Sequence, residues 1–383
     1  MERAEVVIVG GGIIGASIAY HLAMRGIKDI VLLEKELFFG AESTGKCAGG
    51  IRAQFTTPIN IQLSLASIAA FERFAEEMGV PVAFHQVGYL FMSTDPAQWE
   101  AAQRAVQLQR SLGVEVQLLT AEQVNDLVPD LRTDDVVGAT YSAKDGLADP
   151  HEFLQGYVKR NRELGVRAFA QRPVTGLEVK GGRIQGVVTP AGTISTPRVV
   201  NAAGAWAAQI ARMAGVDVPI VPVRRHIATT APLPFISTTY PMMVDNGSGL
   251  YMHPESGGLL MGMAKRDEPP AYRTDVDEDF VMEIVGAAVD RIPSLETAEI
   301  NSAWAGLYEV TPDHHAIFEA HTEPEGLFTC AGFSGHGFMQ SPAAGETMAE
   351  LILDARTTLD ISDLGLARFS TTNHQGREEV MVI

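Results

Sequence analysis

The chain has 383 residues, 29 basic against 47 acidic side chains, and a formal net charge of −18. A field of that sign repels polyanions and anionic membrane surfaces, so no nucleic-acid or membrane partner is expected, and the length suggests two domains or one large α/β domain with an insertion. With 46% hydrophobic and 20% charged residues the chain is neither disordered nor membrane-like, and its two cysteines, Cys47 and Cys330, give no disulfide framework and fit a reducing cytoplasm.

Residues 6–20, VVIVGGGIIGASIAY, have the length of the apolar part of a secretory signal. Glu2 and Glu5 make the leader acidic and three glycines interrupt the run, so no signal peptide is expected, and no run is long enough for a transmembrane helix. The segment reads instead as strand, glycine turn, helix: Val6 to Val9 is a fully apolar run, and Ile14, Ile18 and Leu22 recur at helical spacing up to Gly26. A second buried strand, Ile30 to Leu33, ends on Glu34 and completes a βαβ unit.

A loop of small residues from Gly40 to Gly50 follows, and Thr57 with Pro58 predicts the start of a long helix ending near Gly79. From Pro81 the texture changes to alternating strands and shorter helices. Asp95-Pro96 with Gln98, Thr120 with Gln123, and Asp149-Pro150 with Glu152 each predict a capping box. Gly181-Gly182 marks a hairpin between Leu177–Lys180 and Arg183–Val188, and Arg198 to Ala202 reads as a buried strand before a turn at Gly204. Residues 222–319 read as strands with one helix around Asp279 to Ile292. Leu327 to Ala331 is a further buried strand, then come a glycine loop, Gly332 to Gly337, and a helix predicted to begin at Ser341-Pro342.

The fold class expected is α/β (α+β, two-domain). A Rossmann-like domain is assembled from residues 1–80, 141–221 and 322–383, and an antiparallel-sheet substrate domain from 81–140 and 222–321.

Gly10-Gly11-Gly12-Ile13-Ile14-Gly15 satisfies G-x-G-x-x-G in the required context, with a strand before it, a helix after it, and Glu34 about 20 positions on. Gly10 permits the tight turn, Gly12 a close backbone approach to a pyrophosphate, and Gly15 packing of helix on strand. The N–H groups at Ile13 and Ile14 and the helix dipole suit phosphates, while Glu34 suits ribose hydroxyls. This unit alone does not separate FAD from NAD.

Further segments do. GGGIIG with LLEKE, STGKCAGGIR at 43–52, DGLADP at 145–150, VVNAAGAWA at 199–207, GLYEVTPDHH at 306–315 and AGFSGHGF at 331–338 occur in an order that resembles the D-amino-acid oxidase superfamily of FAD-dependent oxidoreductases, in particular its sarcosine oxidase, dimethylglycine dehydrogenase and L-proline dehydrogenase β-subunit branch. The resemblance covers nearly the whole chain. It implies FAD as cofactor, with Glu34 and Lys35 near the ribose, Ser43 and Thr44 donating hydroxyls to the pyrophosphate, and Val174 beside the adenine. It places Ala203, Gly204 and Trp206 over the dinucleotide, and Gly306, Gly332, Gly335, His336, Gly337, Phe338 and Met339 around the flavin.

The resemblance further implies oxidation of a C–N bond next to a carboxylate, with hydride passing to flavin N5, an imine that water hydrolyses, and peroxide formed from oxygen. The alternatives are a dehydrogenase of proline or dimethylglycine type passing electrons to another acceptor, with room for a partner subunit, and a catalytically silent flavoprotein subunit. Arg52 is the expected carboxylate clamp, because a guanidinium suits bidentate binding. Tyr251 and Tyr308 match pocket tyrosines, each of which also reads as an ordinary buried tyrosine, and His253 and His336 are candidates for substrate contact or proton transfer.

Three departures stand out. Met339 occupies the position of a carboxylate-binding lysine of monomeric sarcosine oxidases, and the lysine expected after the Gly257-Gly258 pair is missing. The position of their flavin-linked cysteine is about Gly306, and no histidine lies in STGKCAGGIR, so FAD is expected to be noncovalent. Asp313-His314-His315 reads as a loop rather than a metal site. The sequence leaves open whether Cys47 is reactive and whether Arg224-Arg225 contacts substrate.

Overall fold

The computed structural model describes residues 2–370 and 378–381. Its centre is a six-stranded sheet in the order Ile317–Ala320, Leu327–Ala331, Val199–Asn201, Val6–Val9, Ile30–Leu33, Arg167–Phe169, parallel apart from the antiparallel edge strand Ile317–Ala320. The strand Val6–Val9 is buried along its whole length because both faces are covered. Val6 and Ile8 face a core shared with the helices, while Val7 and Val9 face the meander Gly176–Lys180, Arg183–Thr189, Gly192–Ser195. The helix Ile13–Met24 packs against Gly337–Asp354 so closely that a Cβ on Gly345 would lie 2.1 Å from the Ser17 hydroxyl. The carboxyl ends of the central strands open where the order reverses, the place at which such sheets take ligands.

An eight-stranded sheet stands beside that opening. Its order is Ile300–Val310, Val221–Thr230, Gly258–Met263, Leu250–Glu255, Met242–Asp245, Tyr89–Ser93, Gly138–Ser142, Gln117–Leu119. It is antiparallel except where Tyr89–Ser93 runs parallel to Met242–Asp245. Ile317–Ala320 pairs with the other sheet although it lies within 222–321, and Gly138–Ser142 crosses position 141. The helix Glu278–Arg291 covers one face of the eight-stranded sheet and leaves the other toward the opening. Among the described residues no helix is long and apolar enough to cross a membrane.

Several local expectations change. The last long helix starts at Gly337, not at Ser341, and Pro342 lies inside it. The chain turns at His336, whose carbonyl accepts from Gln340 N at 3.1 Å, so the helix is already under way when Pro342 arrives. Only Thr120 and Gln123 complete a reciprocal box. Asp95 and Asp149 cap their helices alone, and Gln98 donates instead to the Asn246 carbonyl at 3.3 Å. Thr57 precedes the helix Pro58–Met78 as expected but does not cap it. Its hydroxyl and that of Thr56 each donate to the buried carboxylate of Glu379, both at 2.7 Å, and Glu379 supplies the negative charge at that helix end. The hairpin turn at Gly181-Gly182 has φ of +61° and +71°, in keeping with the two-glycine signal.

Candidate active site

One cavity runs from the glycine turn to the open face of the eight-stranded sheet. At its first end Gly10 has φ +115°, and a Cβ there would fall 2.2 Å from the Ala202 carbonyl oxygen. That position admits only glycine. The helix behind it has no side-chain cap from Gly12 and no acidic residue in its first turn, so Ile13 and Ile14 line the cavity at a helix end where nothing opposes an anion. Thr44 Oγ1 accepts from Ile13 N at 3.1 Å and keeps its own hydrogen to donate.

The Glu34 carboxylate accepts from Gly11 N at 2.9 Å and Glu36 N at 2.8 Å. Burial pushes its carboxyl up, and the two N–H donors oppose that. Lys35 Nζ sits 3.9 Å from the Trp206 ring centroid, and Val174, Ala203 and Gly204 continue the same wall. Ser43 lines the cavity too, but its hydroxyl is already donated to the Leu307 carbonyl at 2.7 Å. Gly15 stays off the wall: its Cβ would meet the Gly10 carbonyl at 2.0 Å, which is the close packing of helix on turn.

The second end is aromatic. Tyr89, Tyr251 and Tyr308 line it together with Phe338, Met339, Gly306 and the Gly335–Gly337 turn. Gly335, at φ +101°, lies so close to Tyr308 that a Cβ would be 2.4 Å from its ring. Burial raises the pKa of both Tyr251 and Tyr308, so each presents a neutral hydroxyl. The helix Gly337–Asp354 has no acidic residue in its first turn and points its N-terminus here.

Arg52 is 1% exposed and lines this end. Its Nη1 donates to the Gln54 carbonyl and its Nη2 to the Met381 carbonyl, while its guanidinium carbon lies 4.0 Å from the Phe55 ring centroid. Nε has no partner among the described residues, and no carboxylate there forms an ion pair with it. Burial lowers its pKa, with Tyr89, Glu379 and Asp145 acting the other way, and a guanidinium remains charged throughout. His336 Nε2 is 3.5 Å from Arg52 Nη2. Burial first and Arg52 second hold the imidazole pKa well below its ordinary value, so His336 is neutral.

Other expected residues are placed differently. His253 does not line the cavity; its ring nitrogens face the carbonyls of Pro254 at 2.8 Å and Ala48 at 2.9 Å, fixing the Cys47–Gly50 loop from behind. Gly332 is also off the wall and donates its N–H to Glu309 at 2.9 Å. Cys47 lines the cavity, but burial pushes its thiol up to about 12, so it carries no thiolate at neutral pH. Cys330 is buried in its strand, and burial raises its thiol as well. Asp313 pairs with Arg368 at 2.8 Å, and His315 Nδ1 lies 3.2 Å from Asn60, so this trio ties loop and tail together. Arg224 is committed to Glu268 at 2.8 Å and Asp275 at 2.7 Å on the far face of the sheet, whereas Arg225 lines the cavity.

Sequence reasoning passed over Glu309, Tyr89 and Glu379. Glu309 lies inside a quoted motif, and its carboxyl, pushed up to about 7 by burial, lines the cavity near Gly204 and Gly337. Tyr89 comes from a strand with no motif, and Glu379 acts across 322 positions; neither carried a local signal.

The residues present fit an extended anionic dinucleotide. A glycine turn with no room for side chains and an uncapped helix N-terminus suit a pyrophosphate, Glu34 suits a ribose, and a second helix N-terminus suits an electron-rich ring far along the same cavity. The chain matches the FAD dependent oxidoreductase family over residues 5–351. It is similar to mitochondrial dimethylglycine dehydrogenase of Rattus norvegicus, at 31% identity over 96% of this chain and 45% of that protein. It thus spans less than half the length of that relative. FAD-dependent oxidoreductase domain-containing protein 1 of Xenopus laevis is 32% identical over 96% of this chain and 83% of that one. The crystal structure of L-proline dehydrogenase from P. horikoshii superposes with a TM-score of 0.91 at 34% identity, covering 96% of this chain and 98% of that one.

Proposed function

The chain belongs to the FAD dependent oxidoreductase family, and from that premise we propose that it holds FAD noncovalently and dehydrogenates the C–N single bond of a secondary or N-methylated amino acid. The observation that carries this reading is Arg52: a buried guanidinium without an acidic partner among the described residues, set beside neutral phenols at the far end of a dinucleotide cavity. A buried unpaired cation is costly, and a substrate carboxylate offsets that cost.

In this reading Ile13, Ile14 and Thr44 hold the pyrophosphate, Glu34 the ribose, and the Gly335–Gly337 turn the flavin. Bound FAD supplies a two-electron acceptor. Arg52, steadied by the Gln54 and Met381 carbonyls, holds the carboxylate with its remaining donors. Tyr251 and Tyr308 shape the wall and exclude water from the reacting carbon, and neutral His336 leaves the amine unopposed by a second positive charge. The substrate C–N bond loses two electrons and two hydrogens to give an imine, which water hydrolyses.

Among the described residues, Lys46 and Lys35 are the lysines on the wall, and both are engaged by Glu42, at 2.9 and 3.4 Å. That favours transfer to an acceptor other than oxygen over peroxide formation, and it leaves a place for a partner subunit. The free thiols support a reducing compartment. The test is anaerobic bleaching of the yellow protein by sarcosine, dimethylglycine and L-proline, followed by air. Bleaching with slow return of colour supports a dehydrogenase, rapid return an oxidase, and no bleaching by any amino acid refutes the reading.

A further inference from the structure

We propose that Arg225 receives a second carboxylate, so that the preferred substrate is a dicarboxylic secondary amino acid. The proposal rests on the amino-acid reading above and names the class within it.

Arg225 lies on Val221–Thr230, opposite Gly306 on Ile300–Val310. Strand alternation sends Arg224 and His226 to the far face, where carboxylates and backbone of Glu268, Asp275 and Asp277 occupy them. Arg225 and Ile227 face the cavity instead. The Arg225 guanidinium stands 4.9 Å from the Tyr308 ring centroid. Among the described residues its one hydrogen bond is from Nη1 to the neighbouring Arg224 carbonyl at 3.1 Å, and buried Nε has no partner there.

Among the described residues, the buried arginines other than Arg52, the clamp for the shared carboxylate, all differ from Arg225. Arg224, Arg291 and Arg368 each pair with at least one carboxylate at 2.7 to 2.9 Å. Among the described residues Arg225 has none, in a chain with 47 acidic side chains. A guanidinium kept free of acids on a cavity wall retains four of its five donors for an anion, in a fork that matches a carboxylate. The phosphates belong to the other end, at the glycine turn. Tyr308, against which Arg225 stands, lines the same cavity end as Arg52, so the two guanidiniums serve one pocket, one for each carboxylate.

Matched acid and amide pairs test this in the FAD-loaded enzyme: N-methyl-L-glutamate against N-methyl-L-glutamine, and N-(carboxymethyl)glycine against N-(carbamoylmethyl)glycine. Anaerobic bleaching should favour the acid of at least one pair by about tenfold or more in kcat/KM, the size expected for a charge-assisted contact. Arg225→Gln should remove that preference while amide turnover and bound FAD are kept, and Arg225→Lys should restore part of it. Equal rates for acid and amide in both pairs overturn the proposal. So does an equal loss for both members in Arg225→Gln, which would give Arg225 the shared carboxylate, or loss of FAD, which would give it the cofactor. If no compound bleaches the flavin, sarcosine and L-proline included, the amino-acid reading itself falls.

Discussion

Arg52 Nη2 donates to the main-chain carbonyl of Met381, a residue 329 positions further along the chain. Glu379 makes this contact stable, since its carboxylate accepts from the backbone and hydroxyls of Thr56 and Thr57 and from Asn60 at 2.7 to 3.2 Å. Glu379→Gln should therefore raise KM several-fold with little change in kcat, because it loosens a residue that positions Arg52. Burial alone would raise the Glu379 carboxyl, but the Thr56 and Thr57 donors outweigh it and hold its pKa below the ordinary value. Stability from this group is present above the unfolded pKa and lost as pH falls through the folded one. Wild-type stability should accordingly fall more than the variant's between pH 5 and 3. Equal KM and equal acid profiles would contradict this.

Arg52→Lys keeps the charge and loses the fork. About 10- to 100-fold loss in kcat/KM is expected, the range for a charged hydrogen bond of roughly 1.5–3 kcal/mol. The flavin spectrum and FAD content should be unchanged. Steady-state kinetics beside a cofactor assay checks both halves.

Two glycines of one turn should behave differently. At Gly12 a Cβ would meet only the Thr44 hydroxyl, at 3.1 Å, so Gly12→Ala should fold and lose FAD affinity by about tenfold or more, through crowding of the pyrophosphate approach. At Gly10 the added carbon would meet backbone at 2.2 Å, so Gly10→Ala should lower the thermal stability of the apoprotein as well. Flavin titration and thermal unfolding separate the two.

The Glu309 carboxyl, pushed by burial from 4.5 to about 7, binds its proton more tightly when folded than when unfolded. Its contribution is therefore favourable at low pH and is lost as pH rises toward about 7. Apoprotein stability should fall between pH 5 and 8 by up to about 3 kcal/mol more in wild type than in Glu309→Gln. Asp145, raised to about 6 by burial, has the same sign and remains in both proteins. Parallel curves would show that Glu309 titrates normally.

The parts of this molecule that were legible in advance are those whose physics is local. A fully apolar run, three glycines and a terminal Glu34 specify the first βαβ unit within 34 residues, and the structure realises it. Two glycines likewise announced the 181–182 hairpin. The helix starting at Gly337 was misjudged because Pro342 is a strong local signal, overridden by a turn that the glycine loop dictates. The side-chain commitments of His253 and Ser43 were illegible for a different reason. Residue type and motif suggested ligand contact, but nearby main-chain carbonyls had already taken their hydrogen bonds. The commitments of Arg224 and Arg225 depend on which face of a strand each meets, and acidic residues 44 to 51 positions away decide that.

The most direct test of the central claim is a single anaerobic turnover of the purified holoenzyme with one equivalent of a secondary amino acid, reading flavin absorbance and carbonyl product together. One flavin should be reduced for each imine-derived product released, with the reaction strongly slowed in Arg52→Lys. A flavin that dithionite reduces but no amino acid does, or reduction without a stoichiometric product, would contradict it.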